Sequence, residues 1–111
     1  MTKPLTRTER QALERFKTTL RSMLGENLVS LRLFGSKARG DASEESDLDV
    51  LIVVQKKDRK LCRRIVEESL EIDLAFNTNL APTILSAQEY SQNRDSGTAF
   101  YRNVEKEGVA L

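Results

Sequence analysis

The chain has 111 residues, with 18 Lys and Arg against 17 Asp and Glu, and its formal net charge at pH 7 is +1. A chain of this length forms a modest core, and we expect one domain over residues 1–111. The near-neutral charge does not favour binding to long nucleic acid. One cysteine and no histidine exclude internal disulfides, zinc clusters and histidine acid–base chemistry. No signal peptide or apolar run of membrane length is present, which predicts a cytoplasmic protein without a membrane partner.

The first predicted elements are a helix and two strands. Thr6 and Glu9 can form a capping box, and the apolar helical face behind them ends near Gly25. Alternating apolar residues at 29–34 predict a half-buried strand. The continuous apolar run at 50–54 predicts a second strand, covered on both faces and opened by acidic residues.

The second strand begins with two aspartates, Asp47 and Asp49. Side chains two residues apart on a strand point to the same face, with Cα atoms roughly 6.5 Å apart. Two such carboxylates repel each other and lose hydration when buried, so a cation between them is favoured. Carboxylate oxygens are ligands that Mg²⁺ accepts, together with phosphates and water. A magnesium site is therefore predicted; two solvated strand-start residues are the alternative.

The first strand ends in a segment suited to phosphate. Gly35 lets backbone approach a ligand closely, and Ser36 would open a short helical turn that presents N–H groups and a hydroxyl to an anion. Lys37 and Arg39 add positive charge, and the guanidinium fork of Arg39 suits phosphate. Residues 35–39 are thus predicted to cradle phosphates beside the metal, with an ordinary turn as the alternative.

A third carboxylate is predicted further along the chain. Residues 57–69 read as a helix, and the apolar residues at 70, 72, 74 and 76 alternate as in a strand. If that strand lies beside the one that begins at Asp47, Asp73 reaches the same site. Glu71 is the weaker candidate because it lies nearer the strand start. A strand-edge charge is the other role open to Asp73.

The last third of the chain predicts a short strand and two helices. Residues 82–85 suggest a strand in which Pro82 requires an edge or start position. Ser86 and Glu89 can form a second capping box, and a final helix through Val104 can end at Gly108. Strands and helices alternate over a small mixed sheet, so we expect an α/β (α+β) fold with helices against one face.

The motif resembles that of a known superfamily. Gly35-Ser36, ten residues, and then Asp47-Leu48-Asp49 before an apolar strand closely resemble the signature of the nucleotidyltransferases related to DNA polymerase β. The stretch GSKARGDASEESDLDVLIV and the ending FYRNVEKEGVAL are similar to the minimal nucleotidyltransferases of that superfamily. The resemblance implies the polymerase β-like palm fold.

The resemblance also implies a reaction, the in-line transfer of a nucleoside monophosphate from an NTP to a hydroxyl with release of pyrophosphate. Asp47 and Asp49 would hold Mg²⁺, and Asp73 would bind a second Mg²⁺ and help to activate the acceptor oxygen. Gly35 and Ser36 would cradle the β- and γ-phosphates. In the same scheme, Lys37 or Arg39 would neutralise charge.

Minimal nucleotidyltransferases are commonly paired with a small helical HEPN protein, a ribonuclease toxin. The resemblance therefore implies a type VII antitoxin that uses ATP to adenylylate a tyrosine of a HEPN partner, in a hetero-oligomer with that toxin. Two other functions stay open. One is a binding module that neutralises its partner sterically while the metal site is idle. The other is nucleotidyl transfer to a small molecule or an RNA end.

Overall fold

A computed structural model describes residues 5–39 and 47–111, which form five helices and four strands. These are α1 (Arg7–Leu24), β1 (Leu28–Phe34), α2 (Gly35–Arg39), β2 (Leu48–Val54), α3 (Arg59–Phe76), β3 (Leu80–Ser86), α4 (Ala87–Ser96), α5 (Ala99–Glu107) and β4 (Val109–Ala110). Residues 40–46 of the segment between the two motif halves lie outside the described ranges. No helix in those ranges is long and apolar enough to cross a membrane.

The four strands form one mixed sheet in the order β3-β2-β1-β4. β2 pairs antiparallel with β1 and parallel with β3, and β1 pairs antiparallel with β4. In this register Asp49 lies opposite Phe34 on one side and Ala81 on the other. The end of β1, the start of β2 and the start of β3 therefore meet at one edge of the sheet, and the predicted mixed sheet is confirmed.

The predicted capping boxes are present at both helix starts. The Thr6 hydroxyl accepts a hydrogen bond from the Glu9 N–H at 3.0 Å, and Glu9 Oε1 accepts one from the Thr6 N–H at 2.9 Å. Ser86 and Glu89 make the same reciprocal pair at the start of α4. These bonds satisfy N–H groups that a helix leaves unpaired at its first turn.

β2 separates the core into two layers because successive side chains of a strand point to opposite faces. Val50, Ile52 and Val54 pack in a cluster with residues of α1 and α3. Leu51 and Val53 pack with Val104 of α5 in a second cluster. Helices thus cover both faces of the sheet, and the expectation of helices against one face is wrong. By the same alternation, Asp49 lies on the face covered by α5.

Residues 70–76 are the last two turns of α3, and the predicted strand there is wrong. Ile72 is buried and Phe76 packs against the core, whereas Leu70 and Leu74 are exposed. The apolar residues that suggested a strand therefore lie on two different sides of one helix. The strand that pairs with β2 is instead Leu80–Ser86, with Pro82 on an edge strand as expected.

Asp73 holds the connection between α3 and β3. Its Oδ1 accepts hydrogen bonds from the Thr78 hydroxyl and the Leu80 N–H, both at 2.9 Å. Asn77, directly before Thr78, ends α3 in the left-handed conformation, with φ of 55°. The carboxylate thereby fixes the chain reversal that brings β3 alongside β2.

Replacing Asp73 by Ala should lower the free energy of unfolding by about 1–3 kcal/mol, because it leaves these donors without their acceptor. Asp73→Asn retains an oxygen in the accepting position and should lose much less. Urea denaturation measures both effects, and Glu71→Ala, at an exposed position two residues earlier, is the control. Equal losses for the Ala and Asn variants would contradict this role for Asp73.

Candidate active site

The two halves of the sequence motif touch each other. Gly35 follows β1 directly and has φ of +75°, a conformation that side chains disfavour. A Cβ atom built on Gly35 would collide with Oδ2 of Asp49. Glycine is therefore required twice, once for the turn from β1 into α2 and once to leave room for the carboxylate.

The electrostatics of Asp49 suit a cation. Burial raises the pKa of this carboxyl above its usual value, the negative charge of Asp47 raises it further, and the positive charge of Arg39 lowers it. Asp47 directly precedes β2 and is exposed. A half-buried carboxylate beside a second one is stabilised by a bound divalent cation, so the pair fits Mg²⁺ chemically.

Lys37 is held by an ion pair. Its Nζ lies 2.7 Å from Oε2 of Glu9, and both side chains are nearly buried. Burial acts to raise the pKa of Glu9. The hydrogen bonds that Glu9 accepts from Lys37 and from the Thr6 N–H outweigh this effect, and the pKa is lowered. In the described structure the ammonium thus joins α2 to the first turn of α1, a contact that sequence reasoning missed because it spans 28 residues.

Arg39 occupies a more open position at the end of α2. Its Nη1 lies 3.0 Å from Oε2 of Glu107 on α5, and 42 % of its side chain is exposed. Its positive charge acts to lower the pKa of Asp49. Of the two predicted phosphate-binding cations, Arg39 is therefore the one whose charge acts on Asp49.

Helix α5 covers the face of the sheet that carries Asp49 and is joined to it through contacts that the sequence did not predict. Arg32 of β1 donates a hydrogen bond at 3.0 Å to Glu105, which also accepts one from the Tyr90 hydroxyl at 2.6 Å. Burial and the bond to Glu105 raise the pKa of Tyr90 to about 12, so this hydroxyl keeps its proton. Phe34 and Phe100 add an edge-to-face contact with ring centroids 5.6 Å apart. The only sequence signal was the FYRNVEKEG ending, which contains Phe100, Glu105 and Glu107.

Within residues 5–39 and 47–111, the structure does not gather three carboxylates at the site. Asp73 lies in α3 with Oδ1 bonded to Thr78 and Leu80. Among the described residues, no group of three or more Asp, Glu, Cys or His side chains could hold a metal ion. The strand beside β2 has Ala81 in register with Asp49, and its seven described residues include no acidic one. The expected role of Asp73 as a third ligand is therefore not supported.

Comparison with known proteins identifies the family. Residues 13–109 match the family described as "Nucleotidyltransferase domain". A protein of Methanocaldococcus jannaschii named "Putative protein adenylyltransferase MJ0141" is 32% identical over 102 residues, which are 91% of this chain and 96% of that protein. The match extends over almost all of both chains.

Solved structures agree with the fold. A minimal nucleotidyltransferase structure is 25% identical, has a TM-score of 0.54, and is matched over 92% of this chain and 94% of its own. A toxin–antitoxin crystal structure with AMP-PNP is 18% identical, has a TM-score of 0.57, and is matched over 87% of this chain and 70% of its own. The motif, the sheet order and these matches agree, and the chain belongs to the nucleotidyltransferase domain family.

Proposed function

We propose that this nucleotidyltransferase transfers AMP from ATP to a tyrosine hydroxyl of a partner HEPN toxin and thereby acts as a type VII antitoxin. The observation that carries the proposal is the contact between Gly35 and the Asp49 carboxylate, beside Asp47. This contact supports the proposal because a turn that could bind phosphates lies directly against a carboxylate pair, an arrangement suited to nucleotide transfer.

Each residue of the site has a role in this reaction. Asp47 and Asp49 would bind Mg²⁺, which when present neutralises charge on the triphosphate. Gly35 and Ser36 would hold the β- and γ-phosphates through backbone N–H groups and the hydroxyl. Arg39 would turn from Glu107 toward the phosphates. The acceptor oxygen then forms a bond to the α-phosphorus while the bond to the β-phosphate oxygen breaks and pyrophosphate leaves.

A phenolic acceptor agrees with a site at which the described part of the chain brings together two carboxylates and not a third. The acceptor hydroxyl loses its proton during transfer, and a carboxylate on the strand beside Asp49 would assist that loss. On β3, however, the residue in register with Asp49 is Ala81, which has no carboxylate. A tyrosine hydroxyl has a pKa of about 10, well below that of an aliphatic hydroxyl, and needs less assistance. This supports tyrosine over serine, threonine or ribose.

The choice of partner rests on the relatives. The similar M. jannaschii protein is named as a protein adenylyltransferase, and the similar AMP-PNP structure is of a toxin–antitoxin pair. Both descriptions favour a protein acceptor supplied by a toxin. The HEPN class of that toxin and the type VII assignment come from the resemblance of the motif and the chain ending.

The direct test is intact-mass spectrometry of the proposed toxin, sought among the proteins encoded next to this chain, after incubation with the protein, ATP and Mg²⁺. We expect added AMP units, with the rate reduced roughly 100-fold or more by Asp47→Asn, Asp49→Asn or Gly35→Ala. Gly35→Ala acts because the new methyl group displaces the Asp49 carboxylate. The matched control is Asp95→Asn, at an exposed position on α4, and this variant should modify the toxin at the normal rate.

Peptide mapping locates the modified residue, and a growth assay measures neutralisation. Modification of a serine or an RNA end would overturn the tyrosine acceptor. Neutralisation by Asp49→Asn at full strength, without modification, would overturn catalysis in favour of steric binding.

Lys37 and Arg39 should separate in a second experiment. Arg39→Ala removes the half-exposed cation, and we expect a roughly tenfold higher KM for MgATP, which corresponds to about 1.4 kcal/mol, with only a small loss of stability from its partly exposed ion pair with Glu107. Lys37→Met leaves Glu9 without its ion pair, so we expect a lower free energy of unfolding and a smaller change in KM. Steady-state kinetics and urea denaturation distinguish the two; the reverse pattern would assign the phosphates to Lys37.

The raised pKa of Asp49 predicts a pH-dependent cost to folding. The carboxyl ionises at a higher pH in the folded than in the unfolded protein, so stability falls as pH rises from about 3.8 through the raised pKa. Without divalent ions, Asp49→Asn should therefore be more stable than the wild type at pH 7, and this advantage should shrink toward pH 3. Urea denaturation across this range measures it. An advantage that is independent of pH would contradict the electrostatic origin.

A further inference from the structure

An apolar stripe runs along the outer side of α3. Val66, Leu70 and Leu74 are spaced four residues apart and are 42%, 56% and 87% exposed. Residues with this spacing lie above one another on a helix surface. The half-buried Cys62 extends the stripe by one turn toward the start of the helix. Of the five exposed large hydrophobic residues in the described ranges, three belong to this stripe.

The charges of α3 are divided between its two ends. Its first half contains the basic residues Arg59, Lys60, Arg63 and Arg64, and its second half the acidic residues Glu67, Glu68, Glu71 and Asp73. The first turn has no acidic residue and the last turn no basic one. This is the reverse of the arrangement that a helix dipole favours, in which acidic groups lie at the start and basic groups at the end.

We propose that α3 is the contact surface for a second copy of this chain, which packs its own α3 antiparallel across the stripe. A twofold axis through the middle of the stripe places Val66 of one copy against Leu70 of the other, and Cys62 against Leu74. The same rotation lays the basic half of each helix over the acidic half of its neighbour. One arrangement thus covers the apolar stripe and lays charges of opposite sign beside each other along the helix pair.

Self-complementarity is what selects a second copy as the occupant. A twofold interface uses the same patch on both partners, so each feature must be matched by another feature of the patch itself. A symmetric apolar stripe with opposite charges at its two ends meets that condition. A uniformly acidic or basic partner would match only half of the helix.

The outer edge of β3 is a second surface at which two copies could associate, but strand addition there is obstructed. Pro82 lacks a backbone N–H, and Lys57 donates a hydrogen bond at 3.3 Å to the carbonyl oxygen of Ile84. Edge prolines and lysines hinder strand addition. The helix surface is therefore better suited to a second copy than this sheet edge.

The dimer would leave the catalytic site accessible. α3 packs with Val50 and Ile52 on one face of β2, whereas Asp49 belongs to the opposite face by the alternation of the strand. Pairing through α3 therefore joins the copies back to back. The inference rests on α3 alone and does not depend on the proposed function.

The first test is sedimentation equilibrium of the full chain. One helix pair lies at the small end of stable interfaces, so we expect a monomer–dimer equilibrium with a dissociation constant on the order of micromolar. Val66→Glu should weaken it at least tenfold, because the carboxylate would face Leu70 of the second copy. Val29→Glu, a matched change at a residue 46% exposed on β1, should leave it unchanged.

The orientation is tested with the natural cysteine. In the antiparallel dimer the two Cys62 residues lie about 18 Å apart along the helices and cannot be bridged. Leu74→Cys places a cysteine opposite Cys62 of the second copy, so mild oxidation should yield a covalent dimer. Wild type and Val29→Cys should stay uncrosslinked. Crosslinking of the wild type through Cys62 would overturn the antiparallel arrangement.

Two further results would overturn the proposal. One is a monomer at several hundred micromolar. The other is a dimer whose dissociation constant responds equally to Val66→Glu and Val29→Glu. Because Val66 is exposed, circular dichroism and urea denaturation should show normally folded variants. Protection of α3 only in the presence of a different protein would assign the stripe to that protein and reject the second copy.

Discussion

The close approach of β1 and β2 at their motif ends is the constraint on which the site depends. The backbone at Gly35 lies so near the Asp49 carboxylate that no side chain fits between them. This contact brings the backbone of the turn that we propose to bind phosphate directly against the side chain of Asp49. It also explains why the antiparallel pairing of Phe34 with Asp49 matters, because a shift of one residue would turn the carboxylate to the other face.

The strands can hold this arrangement because every residue of β2 except the half-buried Asp49 is buried. Leu48 and residues 50–54 contribute to two apolar clusters, one on each face of the sheet. Burial of this extent favours folding strongly enough to place a half-buried carboxylate beside a second one. Helix α5 adds rigidity on the catalytic face through the Arg32–Glu105 and Arg39–Glu107 ion pairs.

Sequence reasoning succeeded where the determining interactions are local. The capping boxes, the alternation of β1 and the Gly35-Ser36 turn all depend on residues a few positions apart. It failed for residues 70–76 because Leu70, Ile72, Leu74 and Phe76 satisfy a strand pattern while Ile72 and Phe76 also complete a helical face. Only the packing against the sheet decides between the two periods, and with the strand the predicted position of Asp73 was lost.

The assignment of Lys37 shows a second limit. A basic residue in a glycine-serine turn suggests phosphate, yet its ion pair is with Glu9 on another element. Such a partner is 28 residues away and has no local signature. Glu107, the ion-pair partner of Arg39, is 68 residues away and has no local signature either.

Glu9 takes part in two contacts at once, and this has a consequence for motion. One of its carboxylate oxygens caps the first turn of α1, and the other holds Lys37 of α2. Fraying of the α1 start and loosening of α2 therefore break bonds to the same side chain. We expect the two segments to open together, so that order at the start of α1 would reach the turn that we propose to bind the nucleotide.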